Sequence, residues 1–403
     1  MVKYDCSFFA ARDKGQLKTL IHVIGNNAAL LLTKSISFCA ACLALTLYGM
    51  PYAIAQTPSA SGVPTVPTNL PSVQTFLAPP AAFNPVVASP ETLQQYGFPH
   101  KPDQLKTPAA HNAWAKAVSA PQTRLQAPKL VQTMIYNGRA QIQPYSESKH
   151  PASEFNFNPS NSVSANSLNW SGYAIYDDIT KPFAKSYVYA YWIVPVAQHA
   201  FGNGLPVGWD YSTQWIGIDG LGSSDVLQAG TEADGYASGA IQATFYSAWI
   251  EWYPFSESRI ANFPVAPGDE MFVEVWNTNA TVGNAYLFNV TKQQAVALTF
   301  KAPSGTALMG NSAEWVVERP GLGSSLARLT NYVACPFDAC YAFGSVGGGT
   351  YNKMYFPGIN SASLTVYAIS MLDNAGGVIS IPSLVGPADL WFRDAGSAYT
   401  DLP

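Results

Sequence analysis

The sequence has 403 residues, of which 48% are hydrophobic and 11% are charged, whereas about 25% of the residues in an ordinary soluble protein are charged. It contains 31 glycines and 30 prolines and has no long tract rich in Ala, Leu, Glu, Lys and Arg. This composition excludes a coiled coil and a helical bundle.

The formal net charge of −4 conceals an asymmetry between two parts of the chain that meet near residue 160. Residues 1–160 hold 12 Lys and Arg against 6 Asp and Glu, whereas residues 161–403 hold 9 against 19. The second part therefore carries a charge of −10, and such an acidic domain repels phosphates instead of releasing counterions from them. We expect no nucleic-acid partner.

Histidines are nearly absent from the acidic part of the chain, where His199 is the only one. A Ser-His-Asp triad, a Cys-His dyad and a zinc site with several imidazoles all require histidines that this part lacks. We therefore predict no metal site and no cofactor.

The first 55 residues have the pattern of an export signal. Basic residues up to Lys34 precede the uncharged run Ser35–Ala55, which closes on an A-x-A cleavage pattern. The sequence predicts a signal peptide with a long basic leader over residues 1–55, cleavage near Ala55 and a secreted protein. A retained membrane anchor is the alternative, which Pro51 disfavours.

Residues 56–160 are expected to form a Pro-rich linker followed by a propeptide. The stretch 56–88 is rich in Pro, Ser, Thr and Ala, a composition typical of an extended, poorly ordered linker. Helix starts follow at Ser89 and Thr107, each a cap residue that precedes a proline. A small, basic, helical segment ahead of an acidic β domain indicates a propeptide.

From Asn169 onward, short β-branched and aromatic runs alternate with Gly, Pro, Asn and Asp, which is typical of all-β sandwiches and barrels. About 240 residues of antiparallel sheet suit one large, lectin-like β-sandwich of two packed sheets, so we predict a single domain over 161–403. Cys335 and Cys340 are an even pair that export would allow to form a disulfide. The predicted strands are Tyr187–Val194, Ser212–Ile218, Ala240–Tyr253, Met271–Trp276, Ala285–Val290, Ala295–Phe300, Glu314–Glu318 and Ser363–Met371.

Alternate residues of a strand share one face of a sheet, and this parity locates the unusual polar side chains. Glu251 shares its face with aromatic residues, and Glu318 shares its face with Val316. Burial among apolar groups raises the pKa of a carboxyl and suits it to proton transfer; a hydrogen-bonded structural carboxylate is the alternative. The candidate side chains that parity places on sheet faces are Trp215, Asp219, Gln228, Trp249, Glu251 and Glu318.

Six ordered motifs identify the family that this domain resembles. They are NWSGYA at 169–174, WIGIDG at 215–220, LQAG at 227–230, YSAWIEWYP at 246–254, PGD at 267–269 and AEWVVERP at 313–320. In this order and spacing, they resemble the glutamic peptidases, also called eqolisins, over about residues 165–385.

The resemblance implies a β-sandwich of two large antiparallel sheets and a Gln/Glu pair in catalysis. By motif, the catalytic Gln falls on Gln228 and the catalytic Glu, the second one in A-E-x-x-x-E, falls on Glu318. Ser247 departs from the pattern, because family members often have Asp at that place. Cleft lining and support are assigned to Trp215, Asp219, Trp249 and Glu251.

The chemistry of amide hydrolysis agrees with this pair of residues. Glu318 would remove a proton from water and later protonate the leaving amine, while Gln228 would donate to the tetrahedral oxyanion. Since Gln does not titrate, we expect one carboxylate to set the acid limb and activity to favour acidic pH. The expected partners are polypeptide substrates, and we expect a monomer.

The charge of the propeptide predicts that it inhibits its own catalytic domain. Residues 56–160 hold seven Lys and Arg against four Asp and Glu, so a segment of +3 faces a domain of −10. We expect this attraction to hold the propeptide over the cleft at neutral pH. Acidification would protonate carboxylates and the histidines of the segment, and self-cleavage is expected between about residues 145 and 168.

Two other functions are compatible with the same residues. A glycoside hydrolase would use two carboxylates such as Glu251 and Glu318. A carbohydrate-binding β-sandwich would use aromatic platforms, although strand aromatics more often belong to a core. Gln228 discriminates between the functions, because only the peptidase needs its amide. The platform candidates are Trp170, Trp215, Trp249 and Trp252.

Overall fold

The structure is a computed structural model that describes the backbone of residues 57–58 and, with side chains, residues 64–146, 162–177, 186–201, 206–344 and 353–396. The predicted signal peptide over 1–55 lies outside the described residues, as does most of the polar run after residue 146. In the described ranges, no helix is both long and apolar enough to span a bilayer.

Nearly all regular structure in the described residues is β. The helices are α1 (Pro90–Gln95) and α2 (Pro108–Ser119). The strands are β1 (Thr57–Pro58), β2 (Pro64–Pro67), β3 (Val73–Phe76), β4 (Thr123–Arg124), β5 (Leu130–Gln132), β6 (Ile135–Tyr136), β7 (Ile142–Gln143), β8 (Ser162–Ser167), β9 (Trp170–Tyr176), β10 (Tyr187–Ile193), β11 (Gly208–Asp210), β12 (Thr213–Ile218), β13 (Val226–Ser238), β14 (Ile241–Tyr253), β15 (Ser258–Ile260), β16 (Glu270–Asn279), β17 (Val282–Asn289), β18 (Gln294–Lys301), β19 (Ser312–Glu318), β20 (Gly321–Leu322), β21 (Ser325–Leu326), β22 (Ala334–Gly344), β23 (Lys353–Tyr355), β24 (Thr365–Leu372), β25 (Val378–Gly386) and β26 (Asp389–Asp394).

The domain consists of two antiparallel layers. The front sheet has the order β24-β9-β19-β12-β13-β14, and the back sheet has the order β22-β10-β16-β17-β18. On one side of the molecule β25 and β26 join β24 to β22, so that the two layers are continuous there. The predicted large antiparallel β-sandwich is confirmed.

The layers pack through large aromatic and aliphatic side chains. Trp315 of the front sheet donates its indole N–H to the carbonyl oxygen of Tyr189 in the back sheet at 3.2 Å. Gly283 of the back sheet has no room for a side chain, since a Cβ there would lie 2.4 Å from the side chain of Leu227. The Leu227 side chain of the front sheet therefore packs directly against the backbone of the back sheet.

The eight predicted strands are confirmed, with shifts of a few residues at their ends. The largest omission is β13, for which the sequence suggested only a short run and which spans 13 residues. Its Thr231, Glu232 and Asp234 are buried polar residues that interrupt the apolar pattern from which strands are read.

Residues 64–146, called the pro-segment below, are built into the same structure. Both predicted helices are present, and the Ser89 hydroxyl accepts from the N–H of Thr92 as an N-cap. The expectation of a poorly ordered linker is wrong for the part that forms β3, because β3 pairs with β18 and so extends the back sheet. Val73 and Phe76 of β3 are buried in the common core.

Helix α2 of the pro-segment lies against β10. The hydroxyls of Tyr189 and Tyr191 donate to the carbonyl oxygens of Ala110 and Ala113 at 2.8 and 2.9 Å. Trp114 is fully buried beside them. The back sheet therefore buries apolar surface on both of its faces.

Cys335 and Cys340 are both buried and are not joined by a disulfide. They lie five positions apart on the single strand β22, where a rise of about 3.3 Å per residue separates them by far more than a disulfide can span. The pair that the sequence allowed is thus held apart by the strand itself.

Candidate active site

Three neighbouring strands of the front sheet bring candidate side chains into register. Gln228 of β13 lies opposite Glu251 of β14 and opposite Gly217 of β12. The predicted parity is confirmed, because Trp215 and Trp249 lie in a small cluster separate from the main core, whereas Leu227, next to Gln228, points into the main core.

Glu318, at the end of β19, is fully buried and accepts three hydrogen bonds. The Trp215 indole donates to its Oε2 at 2.9 Å, and the Asn169 amide donates to its Oε1 at 2.8 Å. The backbone N–H of Gly138 in the pro-segment donates to the same Oε1 at 3.2 Å. Burial raises the pKa of Glu318 well above its ordinary value, and the hydrogen bonds from Asn169 and Trp215 oppose this.

Gln228 contacts the pro-segment at Asn137, the residue just before Gly138. Its Nε2 donates a short hydrogen bond to the backbone carbonyl oxygen of Asn137. Its Oε1 is buried and has no hydrogen-bond partner among the described residues. Gln228 and Glu318 therefore converge on one peptide group, the one that links Asn137 to Gly138.

Glu251 holds the residue that precedes this peptide bond. Its Oε2 accepts from both the backbone N–H and the side-chain amide of Asn137, each at 3.0 Å. Burial raises the pKa of Glu251 well above its ordinary value, and the charges of Glu257 and Glu318 add to the effect.

Asp219 and Trp249 support the site without reaching the peptide group. Asp219 accepts from three consecutive backbone N–H groups, those of Met309, Gly310 and Asn311, at 2.6, 3.1 and 3.0 Å. It thereby fixes the turn that leads into β19. Trp249 is fully buried beside Trp215, Trp170 and Val316 and forms part of the base on which the Trp215 ring rests.

Ser247, where the family pattern often has Asp, donates to Glu232 Oε2 at 2.8 Å. Arg259 contacts the same carboxylate at 2.8 Å. An aspartate at this position would place a second buried carboxylate against Glu232. The serine donates a hydrogen bond instead and avoids that repulsion.

Sequence reasoning did not assign Asn169, Asn137 and Gly138. Asn169 stands in the motif NWSGYA, and its position just before β9 places its amide beside Glu318. A polar side chain at the start of a conspicuous aromatic motif was the available signal. Nothing local marks Asn137 or Gly138, because only the tertiary fold brings them to the cleft.

The pro-segment crosses the cleft as an extended chain. Upstream of Asn137, β6 pairs with β20; downstream, Ala140 donates to the carbonyl oxygen of Gly220 at 3.2 Å, and β7 pairs with β8. A cavity of about 300 Å³ lies beside this path and is lined by Tyr136, Gly138, Gln141, Asn169, Tyr253, Pro254, Glu318, Gly321, Gly323, Ser324, Ser325 and Leu326.

We expect Glu251→Ala to lower kcat/KM less than Glu318→Ala does, because Glu251 contacts the chain beside the peptide bond and Glu318 contacts the bond itself. Glu318→Ala is expected to cost about 10²-fold or more, the scale of a lost general base, and the smaller effect of Glu251→Ala should appear mainly in KM. Steady-state kinetics on a peptide substrate measures both. Equal losses in the two variants, together with cleavage of a glycan, would favour the two-carboxylate glycosidase.

The protein is an all-β sandwich in which a carboxylate and a carboxamide contact the same peptide group. This fold and site define a class of candidate peptidases whose proposed catalytic residues include no histidine. Residues 168–377, just over half of the chain, match the family model for the peptidase A4 family. The chain belongs to the peptidase A4 family, the eqolisins, as its six motifs predicted.

Two curated relatives are similar to parts of this chain. Aspergillopepsin-2 of Aspergillus niger is 32% identical over 140 residues, which are 34% of this chain and 48% of that protein. Scytalidopepsin B of Scytalidium lignicola is 35% identical over 107 residues, which are 26% of this chain and 38% of that protein. The matched segments thus span less than half the length of these curated relatives.

Two solved structures are also similar. The crystal structure of scytalido-glutamic peptidase with a transition state analog inhibitor has 24% sequence identity and a TM-score of 0.42, covering 57% of this chain and 98% of that one. The crystal structure of aspergilloglutamic peptidase from Aspergillus niger has 26% identity and a TM-score of 0.39, covering 46% of this chain and 99% of that one.

Proposed function

We propose that the protein is an acid-acting glutamic endopeptidase made as a precursor, with Glu318 as general base and Gln228 as oxyanion donor. One observation carries this proposal: Gln228 Nε2 contacts the carbonyl oxygen, and Glu318 Oε1 the nitrogen, of a single peptide group. During hydrolysis of an amide, the carbonyl oxygen gains a negative charge and the nitrogen gains a proton.

In the proposed mechanism, Glu318 takes a proton from water, and the water oxygen bonds to the carbonyl carbon. The carbonyl oxygen becomes an oxyanion that Gln228 stabilises through its N–H. The C–N bond then breaks as Glu318 returns the proton to the nitrogen, leaving a carboxyl and an amine. The unpartnered Gln228 Oε1 is available to accept from the attacking water.

The surroundings of Glu318 suit a carboxylate that both accepts and returns a proton. Burial raises its pKa, whereas Trp215 and Asn169 donate to the charged form and limit the rise. The hydrogen bonds favour the charged form that acts as the base, and burial favours the protonated form that acts as the acid. This balance supports one carboxylate in both roles.

The pro-segment is proposed to inhibit the enzyme in cis by occupying the cleft. Gln228, Glu251 and Glu318 all form hydrogen bonds to Asn137 or Gly138, so a substrate cannot reach them until this chain leaves. Polar contacts also hold it in place: the Lys116 ammonium lies 2.6 Å from Glu270 Oε1, and His100 Nδ1 lies 2.7 Å from Glu274 Oε1. Secretion with cleavage near Ala55 and a monomeric state stay predictions from the sequence.

The carbohydrate platforms considered as an alternative receive no support. Trp170, Trp215 and Trp249 are fully buried, and Trp252 is 2% exposed. Trp252 donates its indole N–H to Asp225 at 2.9 Å, as expected for a core residue. While the pro-segment occupies the cleft, where its Gly138 accepts from Trp170, none of these ring faces is accessible to a sugar.

A digest of a denatured protein tests the proposed function. We expect cleavage between about pH 3 and about pH 5, where a carboxylate base titrates, by precursor that has been held at that pH to open the cleft. Pepstatin, which inhibits aspartic peptidases, should leave the digestion unchanged. Loss of all cleavage in the presence of pepstatin would contradict the Glu/Gln mechanism.

A further inference from the structure

We infer that the peptide bond between Asn137 and Gly138 is the first bond this enzyme cleaves in its own precursor, and that it is presented in cis as a substrate rather than as an inert plug. The inference rests on the proposed function. It names the substrate bond of that same site and the residues that recognise it.

The two ends of the bond face the groups that hydrolysis requires. The carbonyl oxygen of Asn137 accepts from Gln228, and the nitrogen of Gly138 lies 3.2 Å from Glu318 Oε1. The chain therefore runs through the cleft in the direction that a substrate needs, with its carbonyl oxygen at Gln228 and its nitrogen at Glu318.

Backbone contacts fix the bond from both sides. Asn137 donates its N–H to Glu251 Oε2 at 3.0 Å, and the carbonyl oxygen of Gly138 accepts from the Trp170 indole at 2.8 Å. Such main-chain hydrogen bonds hold an extended peptide whatever its side chains. They leave the peptide group between them with little freedom to turn away from Gln228 and Glu318.

The strand around this peptide group is pinned over a longer stretch. Upstream, Thr133 donates to the carbonyl oxygen of Glu257, and Glu257 donates back to Ile135, both at 3.0 Å. Downstream, Gln141 donates to Asn169 Oδ1 at 2.9 Å. Since Ala140 also donates to the carbonyl oxygen of Gly220, the segment forms backbone hydrogen bonds with the domain before and after the bond, as an extended substrate does.

The side chain of Asn137 is read by a polar pocket. Its amide donates to Glu251 Oε2 at 3.0 Å and to Glu257 Oε2 at 3.3 Å, and its Oδ1 accepts from the Thr213 hydroxyl at 2.7 Å. The side chain is fully buried, and both its donor and its acceptor are paired. This pocket selects a carboxamide before the cleaved bond and disfavours Asp, which lacks the amide hydrogens that Glu251 and Glu257 accept.

Hydrolysis here balances without a cofactor. Water adds its oxygen to the Asn137 carbonyl carbon, the bond to the Gly138 nitrogen breaks, and Glu318 moves one proton from water to that nitrogen. The products are a fragment that ends in the Asn137 carboxyl and a chain that begins at Gly138. This site lies before the region of about residues 145 to 168 expected from the sequence. That expectation rested on polar composition and not on placement in the cleft.

The test follows the purified full precursor after a shift from pH 7 to about pH 4, at which carboxyl groups titrate. Intact mass and N-terminal sequencing of quenched samples should show a fragment ending at Asn137 and a chain starting at Gly138 before any other product. The rate should not depend on protein concentration, because the reaction is in cis. The Glu318→Gln precursor should not form these products, which excludes spontaneous hydrolysis.

Two matched variants of Gly138 sharpen the test. A Cβ at this position would lie 3.5 Å from the Tyr253 ring, an ordinary contact, so Gly138→Ala should still be cut at the same bond. Gly138→Pro removes the N–H that contacts Glu318 and should slow that cleavage by about 10²-fold or more. Asn137→Asp should slow it as well, and Asn137→Gln should slow it less.

The result that overturns the inference differs from the result that overturns the proposed function. The inference is wrong if the acidified sample digests a denatured protein while the bond between Asn137 and Gly138 stays intact. It is also wrong if Gly138→Pro activates at the wild-type rate. In both cases the proposed peptidase function is retained. If no acidified sample digests itself or a denatured protein, the proposed function is wrong.

Discussion

Glu318→Gln is expected to lower turnover of a peptide substrate by about 10²-fold or more, on the scale of a lost general base. Gln has nearly the volume of Glu, and its one amide oxygen can keep the hydrogen bond from either Trp215 or Asn169, so the fold should survive. What it cannot do is take a proton from water and return it to the leaving nitrogen. The measurement is kcat on the separated catalytic domain, together with circular dichroism to show that the variant is folded.

Glu314→Gln is the matched control for this prediction. Glu314 is buried on the same face of β19, four residues before Glu318, and none of the hydrogen bonds to Asn137 and Gly138 described above comes from it. The same chemical change there should leave kcat near the wild-type value. Full activity of folded Glu318→Gln would contradict the mechanism, whatever the activity of Glu314→Gln.

Asp219→Ala is expected to lower the free energy of unfolding by about 3 kcal/mol or more, because three buried backbone N–H groups lose their acceptor at about 1 to 3 kcal/mol each. Asp219 also adopts a φ of 71°, a conformation that Ala tolerates poorly. Chemical denaturation in the Glu318→Gln background, which does not process itself, measures the loss. A change within about 0.5 kcal/mol, typical of surface positions, would contradict the assigned role.

Asp219→Asn, which keeps one acceptor oxygen, should lose less and also tests the sign of a pH effect. Burial raises the pKa of Asp219 to about 6, against about 3.9 in an unfolded chain. The folded state binds the extra proton, so the wild-type free energy of unfolding should rise as the pH falls from about 6 to about 4, by up to about 3 kcal/mol from this group. The Asn variant should lack that portion of the rise.

Strand periodicity alone was enough to place the candidate side chains on one face of the front sheet. A period of two makes Gln228 and Leu227 point to opposite faces, and the same rule separates Glu318 from Trp315. Such parity is local and survives errors of a few residues at the strand ends. The motifs then supplied the family, which no single strand pattern could have identified.

The position of the pro-segment could not be read in this way. Asn137 reaches Gln228 across 91 positions of sequence, and no periodicity reports a contact of that range. Composition also misled at β3, where a proline-rich surrounding concealed four residues that find hydrogen-bond partners on β18. The positions of Asn137 and of β3 both depend on which cleft and which sheet edge the folded sandwich leaves uncovered. That is a property of the assembled fold and not of any local sequence pattern.

The pairing of β3 and β4 with β18 has a consequence once the pro-segment has been cut and released. β18 would then become an edge strand, with a row of unpaired backbone groups along QAVALTFK, a sequence whose single charge, Lys301, stands at its end. Exposed, apolar edge strands act as templates for pairing with another chain. If the pro-segment is released as proposed, we expect the precursor to be protected from self-association at this edge and aggregation to begin in the processed form.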